Sequence, residues 1–342
     1  MSNVGSRVTV RDVAQRARVS KATAARVLGG YGPASDSVRE AVLTAAKELG
    51  YRTNFLARSM ATGQSRTIGV ILGDIENPFF GRAARGITDV ASAAGVDVII
   101  ANTDEQLSTE RSLVDVLVGK QVDGLILSPT SSTDTKHVDE IAYIPTVFMD
   151  RRPTGTSAFD SVVTDNVAGG ELLGAELRRN GHRDIVFITS AMVHSWKPGD
   201  PIQISSVTDR VAGLERSLQR QVDLHPNAIN ADAVKKILDE VLTSSTTPTA
   251  IVASDSVIAL HAFNDLRSRG IAIGRDVSLC SFDNAVWTSV TDPGVTVIDQ
   301  PMYEIGRRAA ELLFARVAGD EDPPRHEVLP VSLVQRGSIA TL

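Results

Sequence analysis

The feature that most constrains the fold is a long alternation of apolar runs with amphipathic helical patterns after residue 66. The runs are rich in β-branched residues and have the length of buried strands, whereas the patterns between them have the period of helices. The predicted strands are 68–72, 96–101, 124–127, 146–148, 162–163, 185–188, 250–253, 277–281 and 295–298. The predicted helices lie around 80–94, 106–119, 167–180, 206–220, 232–243, 256–269 and 302–318. This alternation predicts parallel sheets covered by helices on both faces, and residues 67–342 suffice for two such lobes.

The composition excludes a membrane-spanning or disordered chain. Hydrophobic residues make up 42% and charged residues 22% of the chain, and no run of 18 apolar residues occurs. The first seven residues lack the apolar segment of a secretory signal, and Cys280 is the single cysteine, so no disulfide framework can form within the chain. Both observations predict a protein of the reducing cytoplasm.

The charge is divided unevenly along the chain. Residues 1–66 carry eleven Lys and Arg against four Asp and Glu, a balance of +7, whereas the remainder of the chain carries −13. A basic head on an acidic body indicates that the head meets a polyanion, because phosphate neutralisation supplies most of the sequence-independent affinity for DNA. A solvated basic face is the alternative.

Three short helical patterns fill the head. Thr9 and Asp12 have the spacing of a capping box at the start of the first helix. Ser20 caps a second helix that runs to about residue 28, and a third follows Ser35 and ends before Gly50. Two short helices joined by a tight turn, with a third completing the core, predict a helix-turn-helix unit whose second helix enters a major groove.

Residues 54–63 have the pattern of a short helix between head and body. About ten residues are marginal as an isolated helix in water, so we expect this segment to become ordered only on binding. The predicted organisation is therefore a helix-turn-helix domain at 1–53, a hinge helix and linker at 54–66, and a two-lobed domain for effector binding and dimerisation at 67–342.

An ordered series of motifs is similar to the LacI/GalR family of bacterial transcription regulators, and the resemblance covers essentially the whole chain. The motifs of the head, hinge and first strand are Val8-Thr-Val-Arg-Asp-Val-Ala, Val19-Ser-Lys-Ala-Thr-Ala-Ala-Arg-Val-Leu, Leu49-Gly-Tyr-Arg-Thr-Asn and Ile68-Gly-Val-Ile. The series continues with Asp74-Ile-Glu-Asn-Pro-Phe-Phe, Asp150-Arg151, Asp165-Asn166, Gly181-His182-Arg183, Ser254-Asp255, Ser281-Phe-Asp-Asn and Asp299-Gln-Pro.

The resemblance implies a homodimer that places two heads in successive major grooves of a pseudo-palindromic, double-stranded DNA operator. Paired hinge helices would lie over the central minor groove, and a periplasmic-binding-protein-like body would take a small effector between its lobes. We expect a repressor of carbohydrate-utilisation genes with a sugar as effector. A purine or another non-sugar metabolite is the alternative.

The candidate DNA contacts lie on the second helix of the head and in the hinge. Lys21 and Ala22 open the second helix, where side chains reach base edges, and the resemblance adds Arg26, which suits bidentate contact with guanine. Ser20, Thr23 and Asn54 are candidate phosphate contacts. The resemblance also aligns Met60 with an apolar wedge that kinks the duplex, flanked by Ala57 and Arg58. Packing between paired hinge helices is the alternative role of Met60.

The candidate effector residues follow the predicted strands, because ligands of open parallel sheets bind beyond the carboxyl ends of strands. Sugars require acceptors, an arginine donor and an aromatic face. The resemblance ranks Arg210 and Asp283 first, and a helix cap or a hydrogen bond at the lobe hinge is the alternative role for each acidic residue. Phe282 and Trp287 are candidates for stacking on a ligand or for the core. The remaining candidates are Asp74, Asn77, Phe79, Phe80, Asp150 and Asp255.

Other functions are disfavoured by motifs that the sequence lacks. It contains no Gly-x-Gly-x-x-Gly, no phosphate-binding P-loop and no nucleophile elbow, so an enzyme is not expected. The six histidines show no metal-binding spacing, and we expect neither a metal nor a cofactor. Residues 192–206 form either a lid over the cleft or a surface loop.

Overall fold

The computed structural model describes residues 8–30, 32–51, 63–155, 158–244 and 247–342. The chain divides into two compact units. One contains Met1–Arg66 with Gln121–Asp123, and the other contains Thr67–Lys120 with Gly124–Leu342.

The described residues of the first unit form three helices around a small apolar core. Val13, Ala24 and Val42, one from each helix, are fully buried together. The Thr9 amide and hydroxyl both donate to Asp12 Oδ2 at 2.8 Å, which confirms the predicted start of the first helix. The helices are α1 (Val10–Arg16), α2 (Lys21–Gly29) and α3 (Asp36–Glu48).

The turn between α1 and α2 contains a residue in the left-handed region. Arg18 has φ +55, and the chain reaches α2 two residues later, where Ser20 Oγ accepts from the Thr23 amide at 3.1 Å. The left-handed Gly30 then ends α2. This local chemistry builds the predicted helix-turn-helix arrangement.

Two six-stranded sheets form the second unit within the described part of the chain. The first has the order β11-β5-β4-β3-β1-β2, and each of its pairs is parallel. The second has the order β12-β10-β9-β8-β6-β7. In chain order the strands are β1 (Thr67–Leu72), β2 (Asp97–Asn102), β3 (Gly124–Leu127), β4 (Thr146–Met149), β5 (Asp160–Thr164), β6 (Ile185–Ile188), β7 (Asp223–His225), β8 (Ala250–Ala253), β9 (Ser278–Phe282), β10 (Thr296–Asp299), β11 (His326–Leu329) and β12 (Ser332–Val334).

The edges of the sheets depart from the sequence prediction. The predicted strands all pair in parallel with one another, as expected, whereas the additional strand β12 pairs antiparallel with β10. β7, β11 and β12 were not predicted. They have only three or four residues and are partly exposed, and so they lack the continuous apolar pattern that marks a strand buried on both faces.

Helices pack against both sheets. In the second lobe, successive residues of one strand enter different cores: Val186 and Ile188 pack in one apolar cluster, whereas Ile185 and Phe187 pack in another. This alternation shows that both faces of the sheet are covered. The helices are α4 (Pro78–Ala94), α5 (Leu107–Gly119), α6 (Lys136–Asp139), α7 (Asn166–Arg179), α8 (Ser205–Leu218), α9 (Ala231–Leu242), α10 (Ser256–Ser268), α11 (Trp287–Val290) and α12 (Met302–Val317). None of the described helices is long and apolar enough to cross a membrane.

Glycines bring two pairs of helices into backbone contact. In the first lobe, a Cβ on Gly306 of α12 would lie 1.9 Å from the carbonyl oxygen of Ala83 in α4. In the second lobe, a Cβ on Gly213 of α8 would lie 2.1 Å from the carbonyl oxygen of Val167 in α7. Both distances are too short for any side chain, so each lobe depends on glycine at its closest helix crossing.

The chain crosses between the lobes near the ends of β5, β10 and β11. Hydrogen bonds join the three crossing segments to one another. Thr164 donates its hydroxyl to Gln300 Oε1 at 2.7 Å, and the Asp165 amide donates to the Leu329 carbonyl at 2.8 Å. The carboxyl ends of β5 and β10 therefore meet at one place, which lies at the edge of the cavity described below.

Candidate functional sites

The predicted DNA contacts of the head lie on one side of α2. Lys21, Ala22 and Arg26 are exposed, whereas Ala24 and Val27 are buried in the core. Thr23 is half-buried, and its hydroxyl is 2.9 Å from that of the exposed Ser20. Within the described part of this unit, nothing covers the side chains of Lys21, Ala22 and Arg26. The hinge candidates Asn54, Ala57, Arg58 and Met60 lie outside the described residues.

A cavity of about 480 Å³ lies between the two lobes of the second unit. Its walls are built at the carboxyl ends of strands from both sheets, as the position of ligand sites in parallel sheets predicts. Eight of the ten candidate effector residues line it: Asp74, Asn77, Phe79, Phe80, Asp150, Arg210, Asp255 and Asp283. Among the described residues, no group of His, Cys, Asp and Glu is arranged to hold a metal ion.

Arg210 is the central cation of this cavity. Its side chain comes from α8 and is held by three acceptors: Nε donates to Asn166 Oδ1 at 2.8 Å, Nη1 to the Ser254 carbonyl at 2.6 Å and Nη2 to Gln300 Oε1 at 3.2 Å. The guanidinium lies 4.4 Å from the centre of the Phe282 ring. Burial lowers the pKa of Arg210, and the charges of Asp283, Asp150 and Asp255 oppose that effect.

Three buried carboxylates surround Arg210. Burial raises the pKa of Asp150 and of Asp255. Asp255 caps α10 by accepting from the amides of Val257 and Ile258 at 2.9 and 3.0 Å. Asp255 therefore has the helix-cap role that was the alternative for the acidic residues, and it lines the cavity as well. Asp283 accepts from Gln300 Nε2, and burial raises the pKa of Asp283 to about 7 despite the charge of Arg210.

The raised pKa of Asp283 predicts a pH-dependent stability. A carboxyl whose pKa is higher in the folded than in the unfolded protein contributes stability that is lost as the pH rises through the folded value. We expect Asp283→Asn, which removes the charge but keeps the shape, to gain stability relative to the wild type as the pH rises from about 4, near the unfolded pKa, to the folded pKa of about 7. Melting temperatures measured across this range test the prediction, and a difference independent of pH would contradict it.

Among the lining residues that the sequence analysis did not select are Arg151 and Gln300. Arg151 follows the end of β4 and donates from Nη1 and Nη2 to the two oxygens of Glu105 at 2.5 and 2.7 Å. Burial opposes the charge of Arg151, but Glu105 outweighs it and the pKa of Arg151 is raised. Gln300, which follows β10, also lines the cavity. Both residues follow the carboxyl end of a strand, where ligands of parallel sheets bind. Selecting every polar residue at such positions, and not mainly the acidic ones, would have found them.

Two predicted aromatic contacts do not line the cavity. Phe282 is 1% exposed and supports Arg210 from behind. Trp287 packs against Phe263 with ring centres 5.9 Å apart, beside an apolar core of the second lobe. Phe282 is therefore buried in this lobe and the half-buried Trp287 packs beside its core, and a stacking role for either ring stays a prediction.

Residues 192–206 border the cavity with their two ends and are exposed in the middle. Met192 and Ile204, near the two ends, line the cavity. The middle is an exposed turn, in which the Lys197 amide donates to Asp200 Oδ2 at 2.8 Å. Beside it, the Ser132 amide of the first lobe donates to the Gln203 carbonyl at 2.7 Å. The segment therefore borders the cavity at its ends and connects the lobes.

Backbone strain is concentrated at the cavity. Four of its acidic lining residues have φ in the left-handed region, with values of 51, 57, 68 and 73 for Asp104, Glu105, Asp150 and Asp283. Such conformations cost about 1–3 kcal/mol each, and they persist only where the surrounding structure imposes them. Their clustering supports a binding role for the cavity.

Comparison with protein families gives two matches on this chain. Residues 9–54 match the bacterial regulatory proteins of the lacI family, and residues 175–339 match a periplasmic binding protein-like domain. The first match covers the helix-turn-helix unit, and the second covers most of the second lobe.

Individual proteins are similar over nearly the whole chain. The chain is 33% identical over 337 residues to the ribose operon repressor of Halalkalibacterium halodurans, with 96% of both chains covered. A LacI family transcriptional regulator from Enterococcus faecium with bound ribose is 29% identical, with a TM-score of 0.68 over 81% of this chain and 99% of that one. The lac repressor dimer bound to operator and the anti-inducer ONPF is 24% identical, with a TM-score of 0.81 over 97% and 99%. These likenesses confirm the predicted fold.

Proposed function

Because the chain belongs to the lacI family of bacterial regulatory proteins, we propose that it is a repressor whose affinity for a DNA operator is controlled by a neutral sugar bound in the cavity. It is a transcriptional regulator rather than an enzyme, as its relatives are. The observation that carries the sugar proposal is the cavity itself, where Arg210 and buried carboxylates converge from both lobes.

Ribose is the first candidate sugar. One similar protein is named as a ribose operon repressor, and a solved relative contains bound ribose. The acceptors and donors of the cavity suit hydroxyl groups, and Phe80 supplies an apolar wall. A thermal-shift screen of sugars and nucleobases, beginning with D-ribose, tests this, since a ligand that binds only the folded protein raises its melting temperature. Stabilisation by a nucleobase and by no sugar would contradict the proposal.

We assign DNA binding, the hinge, and effector binding with dimerisation to three successive parts of the chain. Residues 1–53 bind DNA, residues 54–66 form the hinge and linker, and residues 67–342 bind the effector and pair with a second copy. The division of contacts after Arg66 supports the boundary. The exposed Val286, which precedes α11, and Val290, at its end, offer an apolar surface for pairing. Effector binding and operator binding are then linked, so each must change the affinity of the other by the same factor.

Arg26→Ala and Lys21→Ala are each expected to weaken operator binding. Loss of a base-edge contact by either side chain should cost about 1–3 kcal/mol and relax base preference at one position of the operator. Binding is measured on an operator that the purified protein selects from random DNA, at several salt concentrations.

Arg39→Ala is the matched control for these two variants. Arg39 is an exposed cation of the same unit but lies on α3 rather than on α2. It should change operator affinity less than either α2 variant. Equal losses for all three variants would show that only the overall charge of the head matters and would contradict the assignment of α2.

A further inference from the structure

The guanidinium of Arg151 is already occupied by the protein. Both of its terminal nitrogens donate to Glu105, and Nη1 also donates to the Pro129 carbonyl at 3.3 Å. Its Nε is buried and lies 3.4 Å from Asp150 Oδ2 without forming a hydrogen bond. The two terminal nitrogens of Arg151, which we call its fork, donate two parallel hydrogen bonds. Arginine binds carboxylates and phosphates of ligands in this geometry. Here a side chain of the same lobe occupies the fork.

The position of Glu105 is set by its backbone and by the space beside Gly73. The backbone amide of Glu105 donates to the Gly73 carbonyl at 3.1 Å, and Glu105 has a φ of +57. A Cβ on Gly73, just after β1, would lie 2.4 Å from Glu105 Oε1 and 3.2 Å from Phe80 Cζ, so glycine leaves room for the carboxylate in its present position. The pair with Arg151 is therefore a fixed part of the cavity wall rather than a chance surface contact.

The other charged groups of the cavity do not offer an anionic ligand a replacement for the occupied guanidinium of Arg151. Among the described lining residues, seven are acidic and two are arginines. The second arginine, Arg210, donates to Asn166, Ser254 and Gln300. An anionic ligand would thus meet an excess of acceptors and two arginines whose donors are largely taken.

We propose that Glu105 is a specificity-determining residue that keeps anionic effectors out of the cavity by occupying the guanidinium of Arg151. Neutral polyols are accepted, because their hydroxyls donate to the carboxylates. Phosphorylated and carboxylated sugars are rejected, because their anionic group finds no open fork. The inference rests on the proposed function, since it names the class of sugar that the same cavity takes.

The test compares Glu105→Ala with the wild type, using inorganic phosphate, D-ribose and D-ribose 5-phosphate as probes. Removing Glu105 opens the fork of Arg151, because its two terminal nitrogens lose their carboxylate partner while Nε stays near Asp150. We expect phosphate, but not chloride at equal ionic strength, to raise the melting temperature of the variant. In calorimetry, the affinity for ribose 5-phosphate should rise by about tenfold or more over the wild type.

Glu76→Ala is the matched control. Glu76 also lines the cavity but is exposed and forms no ion pair with Arg151. Its removal takes away the same charge without opening the fork, so no gain in phosphate binding is expected. Glu105→Gln provides a second variant that keeps the length of the side chain and one acceptor for Arg151. If Glu105→Ala does not fold, the smaller gain expected for Glu105→Gln decides the question.

Three results would overturn the inference: ribose 5-phosphate binding the wild type as tightly as ribose, equal gains in the Glu105 and Glu76 variants, or no gain in any variant. Failure of the proposed function is distinguishable from these results. It would appear as a wild type that binds no neutral sugar, whereas the phosphate measurement on the variants still decides the role of Glu105.

Discussion

Replacing Arg210 with methionine is expected to lower effector affinity at least about 100-fold, which is about 2.7 kcal/mol. Hydrogen bonds to a charged group contribute about 1.5–3 kcal/mol each, and Arg210 both lines the cavity and fixes Gln300 through its Nη2. Calorimetry with the sugar identified by the screen measures the loss. Operator binding should persist but no longer respond to that sugar.

The same substitution should destabilise the second unit in a pH-dependent way. Without Arg210, the carboxyls of Asp150, Asp255 and Asp283 lose the cation that opposes their raised pKa values. Their folded pKa values then rise further, and stability is lost as the pH rises through them. We therefore expect the destabilisation to be smaller at about pH 5.5 than at about pH 8.

Arg210→Lys separates charge from geometry. Lysine keeps the positive charge, so most of the stability should return, but it cannot reproduce three directed bonds to Asn166, Ser254 and Gln300. Effector affinity should remain low in this variant. If Arg210→Met bound the sugar as the wild type does, the central role of Arg210 would be wrong.

Gly306→Ala is expected to destabilise the first lobe by about 3 kcal/mol, at the upper end of the usual cost of overpacking. The new methyl group would meet the backbone of α4 at Ala83 and not a flexible side chain. Relief requires α12 to move away from α4, and α12 also packs against the first sheet. Denaturant unfolding, with fluorescence and circular dichroism followed together, measures the loss.

Gly81→Ala is the internal control, because it makes the same chemical change in α4 itself. A Cβ at Gly81 meets nothing within 4 Å, so alanine should stabilise the helix by about 0.5–1 kcal/mol through its higher helix propensity. Opposite signs for the two variants are the expected result. A Gly306→Ala protein as stable as the wild type would show that the crossing of α4 and α12 can widen at little cost.

The sequence by itself determined the helices of the head and the strands buried on both faces. The Thr9–Asp12 cap, the continuous apolar run of β1 and the helical period of α12 act over a few residues, and such local patterns can be read from the chain. The rule that ligands bind beyond the carboxyl ends of strands, together with the family resemblance, also located eight residues of the cavity lining, including Arg210. Short edge strands such as β12 escaped, because half-exposed segments of three residues carry no distinct pattern.

Only the tertiary structure decided which polar groups face each other. Glu105 and Arg151 are 46 residues apart and meet because β2 and β4 end at the same edge of one sheet. Likewise, the packing of the second lobe turns Phe282 and Trp287 away from the cavity. Local propensity is set by neighbours along the chain, whereas charge pairing and ring placement depend on groups that folding brings together from distant positions.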